Sequence, residues 1–173
     1  MSQHVRTAIR EAVKFGLNTI IKGNTISPSS GTYTYNNTIR NIGDPPKSPN
    51  EFKNFPAVNI YLGDENNTKA AITSNAFTFG NENLLYNSFV LHLDFFIKSN
   101  TVALAQENIL ADVQAYFGTY WNIPDSGGTA TAFNSIYKSS EVFGIKGKSP
   151  TCGISIDFNV NYRQFAQSPQ TLR

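Results

Sequence analysis

A single cysteine, Cys152, stands in 173 residues. That excludes an internal disulfide and any cysteine-based metal cluster within one chain, and an unpaired thiol fits a reducing compartment. Histidine is nearly as scarce: His4 and His92 are the only two. The side chain most often recruited for metal binding and proton transfer near neutral pH therefore has few places to act. Charge is sparse as well, since 14 basic and 12 acidic side chains amount to 15% of the chain and leave a formal charge of +2. A nucleic-acid-binding face normally carries a basic stripe or patch, whereas the tightest basic group here is the scattered set Lys138, Lys146 and Lys148. No segment approaches the run of about 20 apolar residues that spans a bilayer. The N-terminal MSQHVRTAIREAVKF also lacks the uninterrupted apolar core of a signal peptide. These shortages lead to the expectation of a soluble chain, made in the cytoplasm, whose work is docking and not reaction.

What is abundant is neutral and polar. Asparagine occurs 20 times, and an amide costs less to desolvate against a partner than an ion does; an AT-rich genome would produce the same enrichment. At this length one domain with a real core is expected. Residues 3 to 22 carry one apolar face (Val5, Ala8, Ile9, Ala12, Val13, Leu17, Ile20, Ile21) and predict a helix, with Gly16 a point of close packing and Gly23-Asn24 the stop. TYTYNNTI, from Thr32 to Ile39, reads as a strand. Four prolines between Pro45 and Pro56 forbid helix and central strand alike, so an extended surface loop is expected there. AVNIYL (Ala57 to Leu62) reads as a short strand, and residues 66–88 as a polar-tipped excursion with hairpin character.

The most informative stretch runs from Phe89 to Gly118. Phe89, Leu91, Leu93, Phe95 and Ile97 alternate with more polar neighbours at the period of a pleated strand. Val102, Ala105, Ile109, Val113 and Tyr116 then recur at helical spacing, with Ser99 or Asn100 placed to cap and Gly118 to stop. Asn134 to Phe143 alternates imperfectly, and Ile154, Ile156, Phe158, Val160 and Tyr162 form a clean half-buried strand. The sum is an α+β fold: a mainly antiparallel (mixed) sheet with two amphipathic helices on one face and a projecting loop or hairpin. It forms a single domain over residues 1–163, and residues 164–173 form a mobile C-terminal tail or arm.

Chemistry finds little purchase. His92 and Asp94 share a strand face and would need a third ligand from elsewhere to hold an ion; a hydrogen-bonded or wet histidine is the plainer reading. Asp64-Glu65 and Asp112 with Glu107 lack apolar surroundings and read as solvated. Gly147-Lys148-Ser149 lacks the spacing of a phosphate loop, and Cys152 has no histidine near it in sequence. The aromatic run Tyr116 to Trp121 suits a sugar or base platform or a contact hot spot, and equally a helix end stapled to the body.

The element order is informative as a whole. It runs from an N-terminal amphipathic helix (VRTAIREAVKFGLNTII) through a proline-rich connection into FPAVNIYLGDE, then to the strand–helix unit FVLHLDFFIKSNTVALAQENILADVQAYF, and closes on GISIDFNVNYR. This order resembles the tail terminator proteins of long-tailed bacteriophages and the related neck and tail-completion proteins, from about Val5 to Tyr162. It departs from them in the 66–88 excursion and the 119–135 loop. The resemblance implies a non-enzymatic virion protein, located in the tail or neck, that needs no cofactor. It also implies a ring, usually of six copies, that caps the head-proximal end of the tail tube and stops its growth. The partners implied are further copies of the chain, the tail tube protein and a neck or head-completion protein. A sheath protein joins them if the tail is contractile, and DNA is only passing cargo. On this reading Thr34, Tyr35, Asp64, Glu65, Phe77 and Phe79 are candidate subunit contacts, and Lys47, Glu51 and Lys53 candidate tube or neck contacts. Another connector, a tail tube subunit, or a small-ligand or carbohydrate-binding domain using Tyr120-Trp121 are the alternatives.

Overall fold

The apolar stripe that begins at Val5 forms helix α1 (Val5–Thr19) in the computed structural model, which describes residues 4–68, 84–145, 151–165 and 168–172. His4 precedes it and its ring accepts a hydrogen bond from the Arg6 N–H at 3.3 Å, so the N-terminal turn is capped. The chain leaves α1 through Gly23 at φ 87°, a left-handed position that glycine occupies without strain. It then forms a two-stranded antiparallel ribbon, β1 (Thr25–Ile26) with β2 (Tyr33–Thr34). Residues 32–39 are therefore not one continuous strand, as the sequence suggested, and lie outside the main sheet. Of these, only Tyr33 and Thr34 lie in the ribbon; Tyr35 still bonds Gly23 and Asn24 through its backbone but turns its ring inward, and the following asparagines are claimed by a helix described below.

The main sheet has a five-strand path: β3 (Asn41–Gly43), β4 (Ala57–Leu62), β6 (Leu84–Lys98), β8 (Thr151–Phe165) and β7 (Asn134–Gly144), in that spatial order. The β3–β4 pair is parallel and the others are antiparallel. Short β5 (Asn66–Thr68) pairs with the start of β6, giving the hairpin character expected at the base of the excursion. Short β9 (Ser168–Leu172) pairs with the end of β8. Residues 168–172 thus fold back on the sheet instead of leaving it as an arm. Helix α2 (Val102–Thr119) follows β6 after a three-residue joint. Its N-cap is Thr101, without a side-chain cap bond, and the helix continues through Gly118 to Thr119, whose hydroxyl donates to the Ala115 carbonyl at 2.9 Å.

Both helices cover one face of the sheet. Register aligns Leu62, Leu91 and Phe158 in one row, Ile60, Leu93 and Ile156 in the next, then Val58, Phe95 and Ile154. These rows meet Val5, Ile9, Val13 and Leu17 of α1 and Ile109, Val113, Tyr116 and Phe117 of α2 in one buried cluster. Each such side chain, fully buried, contributes about 1.5–3 kcal/mol. Gly16 makes room for a side chain of α2: a methyl group there would strike the ring and hydroxyl of Tyr116.

Candidate functional site

The face of the sheet turned away from the helices is polar in its middle. Register sets Tyr61, His92, Asp157 and Ser139 in one row across four strands, and Asn59, Asp94, Ser155 and Glu141 in the next. His92 Nδ1 lies 2.7 Å from Asp157 Oδ1, and the Ser139 hydroxyl donates to Asp157 Oδ2 at 3.3 Å. The Ser155 hydroxyl donates to Asp94. His92 is thus held by a carboxylate from the neighbouring strand, not by Asp94. Among the described residues no hydroxyl or thiol bonds its ring, as an activated nucleophile would. Nor does any group of three or more His, Cys, Asp or Glu among them suit a metal ion. Cys152 is buried, and burial pushes its thiol pKa up, away from the reactive thiolate.

One end of this face is covered by the proline-rich loop, which the sheet holds at several points. The buried amide of Asn59 accepts from the Lys47 N–H at 3.0 Å and donates to the Lys47 carbonyl at 2.8 Å, as a further strand would. The Phe52 ring sits 5.7 Å from Phe96, which in turn meets Phe143 at 6.1 Å. Asp44 is paired with Arg10 at 3.6 Å and Lys14 at 3.2 Å, tying the loop's start to α1. The carboxylates of Glu11 and, to a lesser degree, Asp44 raise the Lys14 pKa against the opposing effect of burial. A one-turn helix at Pro49–Glu51 is closed by the Glu51 carboxylate, which accepts from the Ser48 N–H at 2.6 Å. Lys47, Glu51 and Lys53 are all exposed on this fixed loop, as a contact surface requires. With Arg40, Asn41, Ile42, Phe52 and Asn54 they line an open cleft of about 310 Å³.

The other candidate contacts divide. Thr34 is exposed on the β1–β2 ribbon. Tyr35 is not available: it is 4% exposed and belongs to the core, because its backbone pairs with Gly23 and Asn24 and turns the ring inward. Asp64 is exposed, whereas Glu65 lies 3.8 Å from Arg6, whose other terminal nitrogen donates to the Gly63 carbonyl at 2.6 Å. Tyr162 and Asn87 are buried beside this clamp; the Tyr162 hydroxyl faces Glu65 and Asn87 without closing a well-formed hydrogen bond. Phe77 and Phe79 lie outside the described residues, as does the glycine–lysine–serine sequence at 147–149.

Two features went unread in the sequence. The first is Asp112, expected to be solvated but wholly buried. Its carboxylate accepts from the Tyr33 hydroxyl, the N–H and Nδ2 of Asn36, and the N–H and Nδ2 of Asn37, at 2.8 to 3.2 Å. The only sequence signal is an acid on the apolar side of α2 together with an Asn-Asn pair in a loop. The second is the β7 edge. From Ile136 to Val142 every residue is exposed, including Ile136 at 53% and Val142 at 61%. At the end of α2, Tyr116 packs at a tilt against Tyr120, ring centres 5.2 Å apart, and Phe117 packs 4.4 Å from Phe158, so the aromatic run chiefly staples the helix; Trp121 remains 52% exposed.

No helix among the described residues is long and apolar enough to cross a membrane. No protein-family description and no curated protein matches the chain.

Proposed function

We propose that this chain is a structural, self-associating protein of the tail-terminator type, whose copies close into a ring, usually of six, that caps a tail tube and joins it to the neck. The observation that supports this reading is the unequal treatment of the two sheet faces. The helices cover one face of the central strands, while the middle of the other face is polar and lies beside a charged loop. Each copy thus offers two different surfaces: the polar middle of that sheet face for a neighbour, and, at its end, a loop presenting Lys47, Glu51 and Lys53. A capping ring needs that asymmetry, because its axial contact must not repeat on the opposite side. On this reading the protein performs no catalysis and carries no cofactor. Native mass measurement with negative-stain imaging tests it: closed rings that seat on tube ends are expected. A chain that stays monomeric and ignores tubes, or that polymerises into tubes itself, overturns it.

A further inference from the structure

Strand β7 closes one side of the sheet, and no strand among the described residues pairs with its outer edge. Seven consecutive residues are exposed there, with apolar side chains at Ile136, Tyr137 and Val142. A long, exposed, partly apolar edge is a template for another strand and is ordinarily covered. Its sequence says what covers it. Ile136-Tyr137-Lys138-Ser139-Ser140-Glu141-Val142-Phe143 reads, from either end, as an apolar pair, a charge and a serine, with the two charges opposite in sign.

We propose that two copies of this chain join β7 to β7, antiparallel, about a two-fold axis at Ser140. The bulge in β7 makes the match work. Lys138 has no opposite residue in β8, because the register steps from Tyr137↔Phe158 to Ser139↔Asp157. Its extra residue restores the alternation of faces between two inverted copies. Centred on Ser140, the copies set Glu141 against Ser139, Val142 against Tyr137 and Phe143 against Ile136, each pair on one face. Lys138 then stands beside the partner's Glu141. A centre at Ser139 instead sets Glu141 against Ile136 and Val142 against Ser135, which places a charge on an apolar side chain. A two-fold contact cannot by itself build a polar ring. It is therefore separate from any ring contact and does not rest on the ring reading: it pairs the free chain and hides the edge.

The test is a symmetric disulfide. Residues paired across a two-fold axis bring their own copies within bonding distance. On mild oxidation of the folded full chain, Ser140→Cys is expected to give a covalent dimer on non-reducing gels. Ser139→Cys gives little and the wild type, whose Cys152 is buried, gives none. By light scattering, Lys138→Glu is expected to weaken dimerisation about tenfold, because it opposes two like charges. The double variant Lys138→Glu/Glu141→Lys restores it. Equal crosslinking at both positions, a monomeric wild type, or failure of the double variant to recover overturns the proposal. Absence of rings in the same samples bears only on the proposed function.

Discussion

Asp112 and Asn37 meet twice: the backbone N–H and the side-chain Nδ2 of Asn37 both donate to Asp112 Oδ2 at 2.8 Å. With Asn36 and Tyr33 on Oδ1, the carboxylate fastens the chain after β2 to the middle of α2. Removing one side of a buried network leaves the other side unpaired, which costs more than the bonds themselves contribute. Asp112→Ala is expected to lower stability by about 3 kcal/mol in urea unfolding, because it leaves several buried neutral donors unpaired. Asp112→Asn keeps one acceptor and turns a donor toward the rest, so its loss should be smaller. Equal, negligible losses for both would show that the network is dispensable.

Alkaline pH should act through the same region. Burial first, and then the Asp112 carboxylate, push the Tyr33 pKa up to about 12. Burial likewise raises Tyr35, Tyr116 and Tyr162 well above the ordinary value of 10. A group with a raised folded pKa binds its proton more tightly when folded. Its stabilisation is complete below about pH 10 and is lost as pH rises toward and through the folded value. The urea midpoint is therefore expected to hold up to pH 10 and fall steeply above it, with tyrosinate absorbance from these rings appearing as the fold is lost. Tyrosinate from all of them appearing at pH 10 in a still-folded chain would contradict the burial.

Gly16 of α1 lies directly against the Tyr116 side chain of α2. Alanine is favoured over glycine inside a helix by about 1 kcal/mol, so at an open site Gly16→Ala would stabilise. Here the new methyl meets the Tyr116 ring, and overpacking of this kind costs about 1–3 kcal/mol. Net destabilisation is expected from thermal unfolding. Adding Tyr116→Leu, which clears the methyl's path, should make the alanine less harmful than it is beside tyrosine.

What could be read in advance was whatever repeats. The alternation from Phe89 to Ile97 and from Ile154 to Tyr162 gave the two central strands, and the stripes of both helices gave the covered face. What escaped depends on a single contact between distant segments. Asp112 looks like any helical acid until Asn36 and Asn37 arrive 75 or 76 residues away in sequence. Tyr35 looks like a strand residue until the chain turns its ring inward. Asn59 interrupts an apolar strand, and only the loop at Lys47 explains it. The imperfect alternation after Asn134 was a true signal, since Lys138 is the bulged residue.

The loop at Lys47 offers the cleanest separation of fold from function. Lys47 and Lys53 are exposed, and what anchors the loop is the Lys47 backbone and the Phe52 ring, not the two ammonium groups. Exposed substitutions of this kind shift stability by about 0.5 kcal/mol or less. On the proposed tail-terminator reading, Lys47→Glu/Lys53→Glu should therefore fold and associate like the wild type while docking poorly on a tube end, because reversing the charge of a contact disturbs its electrostatic match. Asn59→Ala is the converse: it strips both bonds from Lys47 and should cost about 1–3 kcal/mol, with faster amide exchange at Lys47. If the charge-reversed loop still caps tubes with unchanged affinity, the axial contact lies elsewhere on the molecule. If instead both variants lose capping and only Asn59→Ala loses stability, the lysine charges act in docking itself and the Asn59 clamp acts by presenting them.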